Sequence, residues 1–410
     1  MKYGLIGETL GHSFSAEIHA MLGYYDYKLC PLPRKDFSSW MQKRDFCGIN
    51  VTIPYKKEVI PFLDDLSDEA RRAGAVNTVV CKDHKAKGYN TDIFGMRALL
   101  KHAGIDPAGK SVLILGTGGT AGTAKYVCAS SGSMRVQQVS RTGRDGALTY
   151  EEALEQKDVQ IIIQTTPCGM FPNVDDAPID LSAFPRLEGV IDAVYNPLKT
   201  RFVQEALARG VRAEGGLFML VAQAVKSAEL FTGNPVPDDV TEDVFQRLKK
   251  SRQNLVLIGM PGCGKTTLGR LLAKRCGRAF VDSDEEIVNL AGKDIPSLFA
   301  TVGEAGFRAL ETKVLRDLAL RQNLVIATGG GAILRKENNF YLSCNGKRIF
   351  LDLAPELIGA TPGRPLSKNR DDVMRLYKER YTLYRASCDE RLVIGRDINE
   401  NLEALWRMVQ

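Results

Sequence analysis

The chain has 410 residues, of which 44% are hydrophobic and 25% are charged, and its formal net charge is +6. This length calls for more than one hydrophobic core, and the composition is that of a globular protein rather than a disordered one. Because no apolar run reaches the ~18 residues that cross a bilayer and no Lys/Arg cluster is interleaved with aromatic residues, we expect neither a membrane nor a nucleic acid as a partner.

The cysteines and histidines indicate a reducing compartment without a zinc site. Nine cysteines, an odd number with no C-x-x-C spacing, are typical of free thiols. The four histidines show no ligand spacing for zinc. The N-terminus lacks the apolar stretch of a secretory signal, so we expect a cytoplasmic location.

The first third of the chain alternates strand-like and helix-like segments. KYGLIG, YDYKLCPL and FCGINVTI are strand-like, residues 15–22 are helix-like, VNTVVCKDHKAKGYN is typical of a hairpin and DIFGMRALLKHAG of an amphipathic helix. This alternation predicts an α/β domain built on a parallel sheet.

A second α/β unit begins at SVLILG and continues through the strand-like runs RVQQVS, VQIIIQ and GVIDAVY. LILGTGGTAGTA fits G-x-G-x-x-A at Gly116, Gly118 and Ala121, a loop whose backbone and helix N-terminus meet a pyrophosphate. The next strand ends with Arg141 and Arg144 instead of the acidic residue that reads an NAD ribose, which favours NADP(H). Two helices, at residues 217–230 and 238–249, are predicted to close this half.

Several motifs of this half resemble shikimate dehydrogenase across residues 1 to about 235: GHSFS, NVTIPYKK, GAVNTVV, GYNTDIFG, QTTPCGM, NPLKT and GGLFMLVAQA. The resemblance implies Lys56 and Asp92 as the catalytic pair. It implies a substrate site that also contains Ser13, Ser15, Thr52, Asn77 and Gln223. It implies cofactor contacts from Gly116, Thr117, Gly118, Gly119, Thr120, Ser140, Arg141, Thr142, Arg144, Tyr195 and Gly216. Chemically, reduction of a ketone produces an alkoxide that needs a proton, which Lys56 can donate while Asp92 holds the ammonium.

The polar segment LKKSRQN marks a boundary, and NLVLIG begins a third α/β unit. GMPGCGKTT then fits the P-loop pattern G-x-x-x-x-G-K-[ST] between a strand and a helix. In this arrangement Lys265 reaches the β- and γ-phosphates and the Thr266 hydroxyl ligates Mg²⁺. The loop therefore predicts a nucleoside triphosphate site with contacts from Gly262, Cys263, Gly264, Lys265, Thr266 and Thr267.

The motifs that follow the P-loop, FVDSDEEI, VGEAGFRALE, IATGGGAIL, GRPL and YKERYTLYR, resemble shikimate kinase in this order and over the whole domain. The resemblance implies catalytic roles for Lys265, Asp284 and Arg364, with Asp284 holding the acceptor hydroxyls and Arg364 coming from a lid. It implies that Arg308 and Arg380 bind the substrate carboxylate, that Gly330 contacts the ring and that Asp282 lies near Mg²⁺. Arginine suits a carboxylate because its planar fork donates two parallel hydrogen bonds. The lid segment is shorter than in the family and has no arginine before Arg364.

We therefore predict three α/β domains: a dehydrogenase substrate-binding and catalytic domain (1–104 with 215–248), a Rossmann-like NADP-binding domain (105–214) and a P-loop kinase domain (252–410). The predicted reactions belong to the biosynthesis of aromatic amino acids: reduction of 3-dehydroshikimate with NADPH, then phosphorylation of shikimate by MgATP to shikimate 3-phosphate. Two alternatives stay open. One is a quinate-type dehydrogenase fused to another small P-loop kinase, such as a gluconate kinase, and the other is a ligand-sensing regulator that has lost the chemistry.

Overall fold

The structure is a computed structural model that describes residues 2–11, 13–358 and 370–410, with the backbone alone at Asp238. The chain divides into two compact units, Met1–Lys249 and Lys250–Gln410. Arg364 and the predicted lid lie outside the described residues.

The first unit begins with a mixed sheet. Its strands are β1 (Tyr3–Gly7), β2 (Tyr27–Pro31), β3 (Gly48–Val51), β4 (Asp65–Leu66), β5 (Thr78–Lys82) and β6 (Lys85–Tyr89). The helices between and after them are α1 (Ser15–Leu22), α2 (Arg34–Lys43), α3 (Tyr55–Glu58), α4 (Asp68–Ala73) and α5 (Thr91–His102). The strand order is β2-β1-β3-β5-β6-β4.

Strand β1 is parallel to β2 and β3, as expected, but β5 is antiparallel to both β3 and β6. The parallel pairing expected of an α/β sheet holds for β1, β2 and β3, and the predicted hairpin, which requires an antiparallel pair, is confirmed by β5 and β6. The hairpin turns at Asp83 and His84, whose φ angles of 51° and 59° are the left-handed pair of a type I′ turn. Such a two-residue turn allows only an antiparallel partner.

A second sheet in this unit is parallel throughout. Its strands are β7 (Ser111–Leu115), β8 (Arg135–Val139), β9 (Ile161–Gln164), β10 (Gly189–Asp192) and β11 (Arg212–Glu214), in the order β11-β10-β9-β7-β8. The helices are α6 (Gly119–Ser130), α7 (Tyr150–Leu154), α8 (Arg201–Ala208), α9 (Leu217–Thr232) and α10 (Asp238–Arg252). Val112 and Ile114 pack into one core cluster and Leu113 and Leu115 into another, since successive strand side chains point to opposite faces.

The two helices predicted near the end of this half are confirmed, each with a longer C-terminal end. Helix α10 continues to Arg252, and β12 of the second unit begins at Asn254. The segment predicted as a polar boundary is therefore mostly helical.

The second unit is a single parallel sheet covered by helices. Its strands are β12 (Asn254–Ile258), β13 (Ala279–Asp282), β14 (Leu324–Ala327), β15 (Gly346–Leu353) and β16 (Glu390–Ile394), in the order β13-β14-β12-β15-β16. The helices are α11 (Lys265–Cys276), α12 (Ser283–Ala291), α13 (Ile295–Ala319), α14 (Lys336–Cys344), α15 (Arg370–Ser387) and α16 (Ile398–Val409). Strand β12 is central and wholly buried, so its carboxyl end, where ligands of parallel sheets bind, carries the P-loop.

Short 3₁₀ helices lie at Ile60–Phe62, Arg144–Gly146, Leu181–Ala183, Ala332–Leu334 and Pro355–Leu357. Within the described ranges, the model contains no helix whose length and apolar character would allow it to cross a membrane.

Candidate active sites

The first unit contains a cavity of about 730 Å³ that is lined by all seven residues predicted to bind substrate. These residues are Ser13, Ser15, Thr52, Lys56, Asn77, Asp92 and Gln223. Three of the predicted cofactor residues, Thr120, Tyr195 and Gly216, line the same cavity. The fold thus brings the two predicted sites of this unit to one place.

Lys56 and Asp92 form an ion pair on the wall of this cavity. Lys56 lies in the short helix α3 after β3, and Asp92 in the first turn of α5, where the helix dipole favours a carboxylate. The Nζ–Oδ2 distance is 2.6 Å, and the side chains are 25% and 14% exposed. Asn77 Nδ2 donates to the other oxygen, Oδ1, at 2.8 Å. The ammonium is therefore held in one direction and stays open to the cavity.

A group of buried hydroxyls behind this wall was not predicted as part of the site. Thr78, Thr91 and Ser227, which we call the hydroxyl cluster, have hydroxyl oxygens 3.0–3.2 Å apart. Asn50 Nδ2 donates to Ser227 Oγ at 2.9 Å and to Thr78 Oγ1 at 3.0 Å. One signal was available, since Ser227 follows Gln223 by four residues and so shares its helix face.

The glycine loop after β7 has the geometry expected for a dinucleotide. Gly116 has a φ of 116°, and a Cβ on it would lie 2.7 Å from Thr165 Oγ1. Gly118 is the N-cap of α6, which begins at Gly119, and Thr117 is exposed beside them. These residues fit a pyrophosphate. The glycines leave the backbone uncovered by side chains at the N-terminus of α6, where backbone N–H groups can bind phosphate oxygens.

The predicted cofactor residues that follow β8 do not line the cavity. Ser140 Oγ accepts the Gly143 N–H at 3.0 Å, and Arg141, Thr142 and Arg144 are exposed. Across the described ranges, neither guanidinium makes a hydrogen bond or ion pair, so both are available to a phosphate.

A buried acid that the sequence analysis missed holds the loop that carries Tyr195. Asp192 accepts the Val194 N–H at 2.9 Å and the Thr200 hydroxyl at 2.6 Å, and burial raises its pKa to about 7. The start of α9 approaches the same loop closely, since a Cβ on Gly216 would lie 2.2 Å from the Ala193 carbonyl oxygen. These contacts fix Tyr195 at the cavity.

In the second unit, the P-loop connects β12 to α11. Lys265 is buried, and its Nζ donates to the carbonyl oxygens of Gly259 and Met260 at 3.0 and 2.9 Å. The Thr266 hydroxyl donates to Asp282 Oδ2 at 2.7 Å. A hydroxyl and a carboxylate at this spacing fit Mg²⁺, which prefers oxygen ligands and completes its shell with water and phosphate oxygens.

The three consecutive glycines after β14 bring the predicted acceptor-site residues together. A Cβ on Gly329 would lie 2.5 Å from Asp284 Oδ1, and a Cβ on Gly331 would lie 2.3 Å from an Arg308 nitrogen. Arg380 Nη1 donates to the Gly330 carbonyl at 3.0 Å. The turn therefore gathers one carboxylate and two guanidiniums around its backbone.

Two further residues of this site had no predicted role. Glu311, three residues after Arg308 on α13, accepts from its Nη1 at 2.9 Å, and burial raises the pKa of Glu311 while Arg308 opposes that shift. The Tyr384 hydroxyl donates to the Gly330 carbonyl. The i, i+3 spacing of Arg308 and Glu311 was the available signal.

A cavity of about 280 Å³ adjoins the P-loop. It is lined by Gly262, Cys263, Gly264 and Thr267 together with Gly395, Arg396 and Asn401, which were not predicted. Asn401 holds the Gly395 backbone with two hydrogen bonds of 2.9 Å, one to its N–H and one to its carbonyl. These residues follow β16 and share the carboxyl edge of the sheet with the P-loop, a placement that the strand order of the fold reveals.

Comparison with known proteins gives a family match in each unit. Residues 5–79 match the family model of the shikimate dehydrogenase substrate binding domain, and residues 261–406 match that of shikimate kinase. A shikimate dehydrogenase (NADP(+)) from Clostridium perfringens is 38% identical over 267 residues, which are 60% of this chain and 98% of that relative.

Solved structures give the same result for the first unit. Shikimate dehydrogenase 1 from Peptoclostridium difficile is 34% identical with a TM-score of 0.56, covering 60% of this chain and 98% of that one. Shikimate 5-dehydrogenase from Thermus thermophilus, solved in complex with NADP(H) and shikimate, is 29% identical with a TM-score of 0.55, covering 60% and 99%.

These matches do not favour a quinate-type dehydrogenase joined to a different kinase, nor a sensor without chemistry. The chain belongs to the shikimate dehydrogenase family and continues into a shikimate kinase domain, so it is a bifunctional fusion of two shikimate-pathway enzymes.

Proposed function

We propose that the first unit reduces 3-dehydroshikimate to shikimate with NADPH and that the second unit phosphorylates shikimate with MgATP. The observation that carries the first reaction is the Lys56–Asp92 pair in a cavity that residues of the nucleotide loop also line. The observation that carries the second is the convergence of Asp284, Arg308 and Arg380 on one glycine turn.

In the dehydrogenase, Lys56 donates a proton to the substrate oxygen as it becomes an alkoxide. Asp92 keeps the ammonium aimed at that oxygen, and Asn77 keeps Asp92 in place. The Ser13, Ser15 and Thr52 hydroxyls and the Gln223 amide face the carboxylate and ring hydroxyls of the substrate. Thr120, Tyr195 and Gly216, which line the same cavity, would lie beside the nicotinamide of NADPH, which would supply the hydride.

Arg141 and Arg144 would hold the 2′-phosphate of NADP(H). Their guanidiniums are exposed just after β8, where a dinucleotide ribose is read in this type of domain. The backbone of residues 116–119 and the N-terminus of α6 would hold the pyrophosphate.

In the kinase, Asp284 orients the acceptor hydroxyl and accepts its proton, and Arg308 and Arg380 bind the carboxylate. Lys265 would leave the loop carbonyls to contact the β- and γ-phosphates, since an ammonium gains more from an anion than from a carbonyl. Thr266 would ligate Mg²⁺, with Asp282 nearby, and Arg364 would add positive charge from the lid. The cavity at Gly395 and Asn401 lies where the rest of the nucleotide would extend.

We also propose the cytoplasm as the location, because all nine cysteines are free thiols and both reactions consume cytoplasmic cofactors. The functional test incubates the full chain with 3-dehydroshikimate, NADPH and MgATP. We expect NADPH oxidation by absorbance and shikimate 3-phosphate by mass. Without ATP the product should stop at shikimate, and quinate formed from 3-dehydroquinate at a comparable rate would contradict the substrate assignment.

A further inference from the structure

The direction of the hydrogen bond between Ser227 and Thr91 follows from one fixed proton. Ser227 Oγ donates to the Gln223 carbonyl at 2.9 Å, and a carbonyl can only accept. Ser227 has one hydrogen, so its oxygen cannot also donate to Thr91. In the 3.1 Å contact between Ser227 and Thr91, Thr91 is therefore the donor.

This direction passes on to Asn77. Because the Thr91 hydrogen points to Ser227, the Thr91 oxygen is left to accept from Asn77 Nδ2 at 3.0 Å. On the other side of the amide, Asn77 Oδ1 accepts the Thr91 N–H at 2.7 Å and the Thr78 hydroxyl at 3.1 Å. The amide is thus held with its oxygen toward Thr78 and its nitrogen toward Asp92.

The opposite orientation of this amide would disrupt the catalytic pair. It would place the Asn77 oxygen against the Asp92 carboxylate and its NH₂ against the Thr91 N–H, which are two repulsive contacts. In the observed orientation Nδ2 bonds Asp92 Oδ1, and Oδ2 remains for Lys56. The hydroxyl cluster itself does not touch substrate, since Thr78, Thr91 and Ser227 are at most 2% exposed and none lines the cavity.

We propose that Ser227 and Thr78 are positioning residues of the dehydrogenase, which act through Asn77 to keep Asp92 and Lys56 in their reactive arrangement. This inference rests on the dehydrogenase function proposed above. Loss of either hydroxyl removes one partner of a fully paired buried network, and such a network depends on all of its members.

The test measures kcat and KM for 3-dehydroshikimate at saturating NADPH with four variants of the full chain. Ser227→Ala and Thr78→Val remove a hydroxyl, and Thr78→Ser keeps it while removing the methyl group. Thr232→Val is the matched control, because the Thr232 hydroxyl makes the same bond to a carbonyl four residues earlier on α9, at Ala228, outside the cluster. Shikimate phosphorylation by the second unit reports that each variant is intact.

We expect kcat to fall about three- to tenfold in Ser227→Ala and Thr78→Val, the loss that one net hydrogen bond implies, with KM changed by less than about twofold. Thr78→Ser and Thr232→Val should keep the wild-type kcat. The inference is overturned if both hydroxyl losses leave kcat unchanged, if KM alone changes, or if Thr78→Ser loses as much as Thr78→Val. Should Ser227→Ala not fold, the two Thr78 variants decide the question. A wild-type chain that does not oxidise NADPH with 3-dehydroshikimate would instead contradict the proposed function, and this inference with it.

Discussion

Replacement of Lys56 by methionine tests the proposed acid of the dehydrogenase. Among the described residues that line the cavity, Lys56 is the single cation, so no second ammonium or guanidinium stands in for it. Tyr195 also lines the cavity, but burial raises the pKa of its phenol and makes it a weaker acid. The variant should therefore lose the full contribution of a general acid, about 10²- to 10⁴-fold in kcat.

The assay follows NADPH oxidation and, in the same preparation, phosphorylation of shikimate. Lys57→Met is the matched control, because the neighbouring lysine is exposed and does not line the cavity. We expect this control to retain both activities and Lys56→Met to retain only the kinase. A decrease in dehydrogenase kcat of less than about tenfold would show that the proton comes from another group, and loss of both activities in a folded variant would contradict the division of labour between the two units.

Three further outcomes are expected. Lys265→Ala should abolish shikimate phosphorylation and leave NADPH oxidation unchanged. Mass measurement of the product formed from each substrate pair checks this, and kinase activity near wild type would refute the role of Lys265 in phosphate binding. Arg141→Ala should weaken NADPH binding by about 10- to 100-fold and NADH binding far less, because a charge-assisted contact to the 2′-phosphate is worth about 1.5–3 kcal/mol; equal losses for both cofactors in fluorescence titrations would refute the contact. Burial lowers the pKa of His19 to about 3, so the folded chain leaves it neutral while the unfolded chain protonates it below about pH 6.5. Stability of the first unit should therefore fall as pH decreases, by about 2 kcal/mol from this group at pH 5. Urea unfolding followed by Trp40 fluorescence in a Trp406→Phe background should show less pH dependence for His19→Phe, and identical dependence would contradict the assignment.

Local pattern was sufficient to predict the parts of the fold that local chemistry controls. The P-loop could be placed because its glycines, Lys265 and Thr266 are consecutive and lie between an apolar run and an amphipathic helix. The hairpin of β5 and β6 was predicted as well, from the continuous segment VNTVVCKDHKAKGYN. The pairing of β5 with β3 was not, because the partner of a strand depends on residues far away in the chain.

The candidate sites show the same difference between residues that a local motif indicates and residues that only the fold brings together. Motifs indicated Lys56, Asp92, Asp284 and Arg308 by resemblance, and their roles stay predictions until variants are measured. The hydroxyl cluster could not be found in this way, since the contact between Thr78 and Ser227 joins residues 149 positions apart. Serine and threonine are also common on ordinary helix and strand surfaces, so neither residue carries a signal until the fold brings them together.

The glycine turn at residues 329–331 limits how the kinase can change its acceptor. A methyl group at Gly329 would collide with Asp284, one at Gly330 with the ring of Pro261, and one at Gly331 with Arg308. A selection for activity on a different polyol would therefore find almost no tolerated variation at these three adjacent codons, whose residues contact the predicted acceptor-site residues Asp284 and Arg308. New acceptor ranges in this enzyme would have to arise from side chains that approach the turn, and a saturation library of the turn itself would return mostly chains that reduce 3-dehydroshikimate but no longer phosphorylate the product.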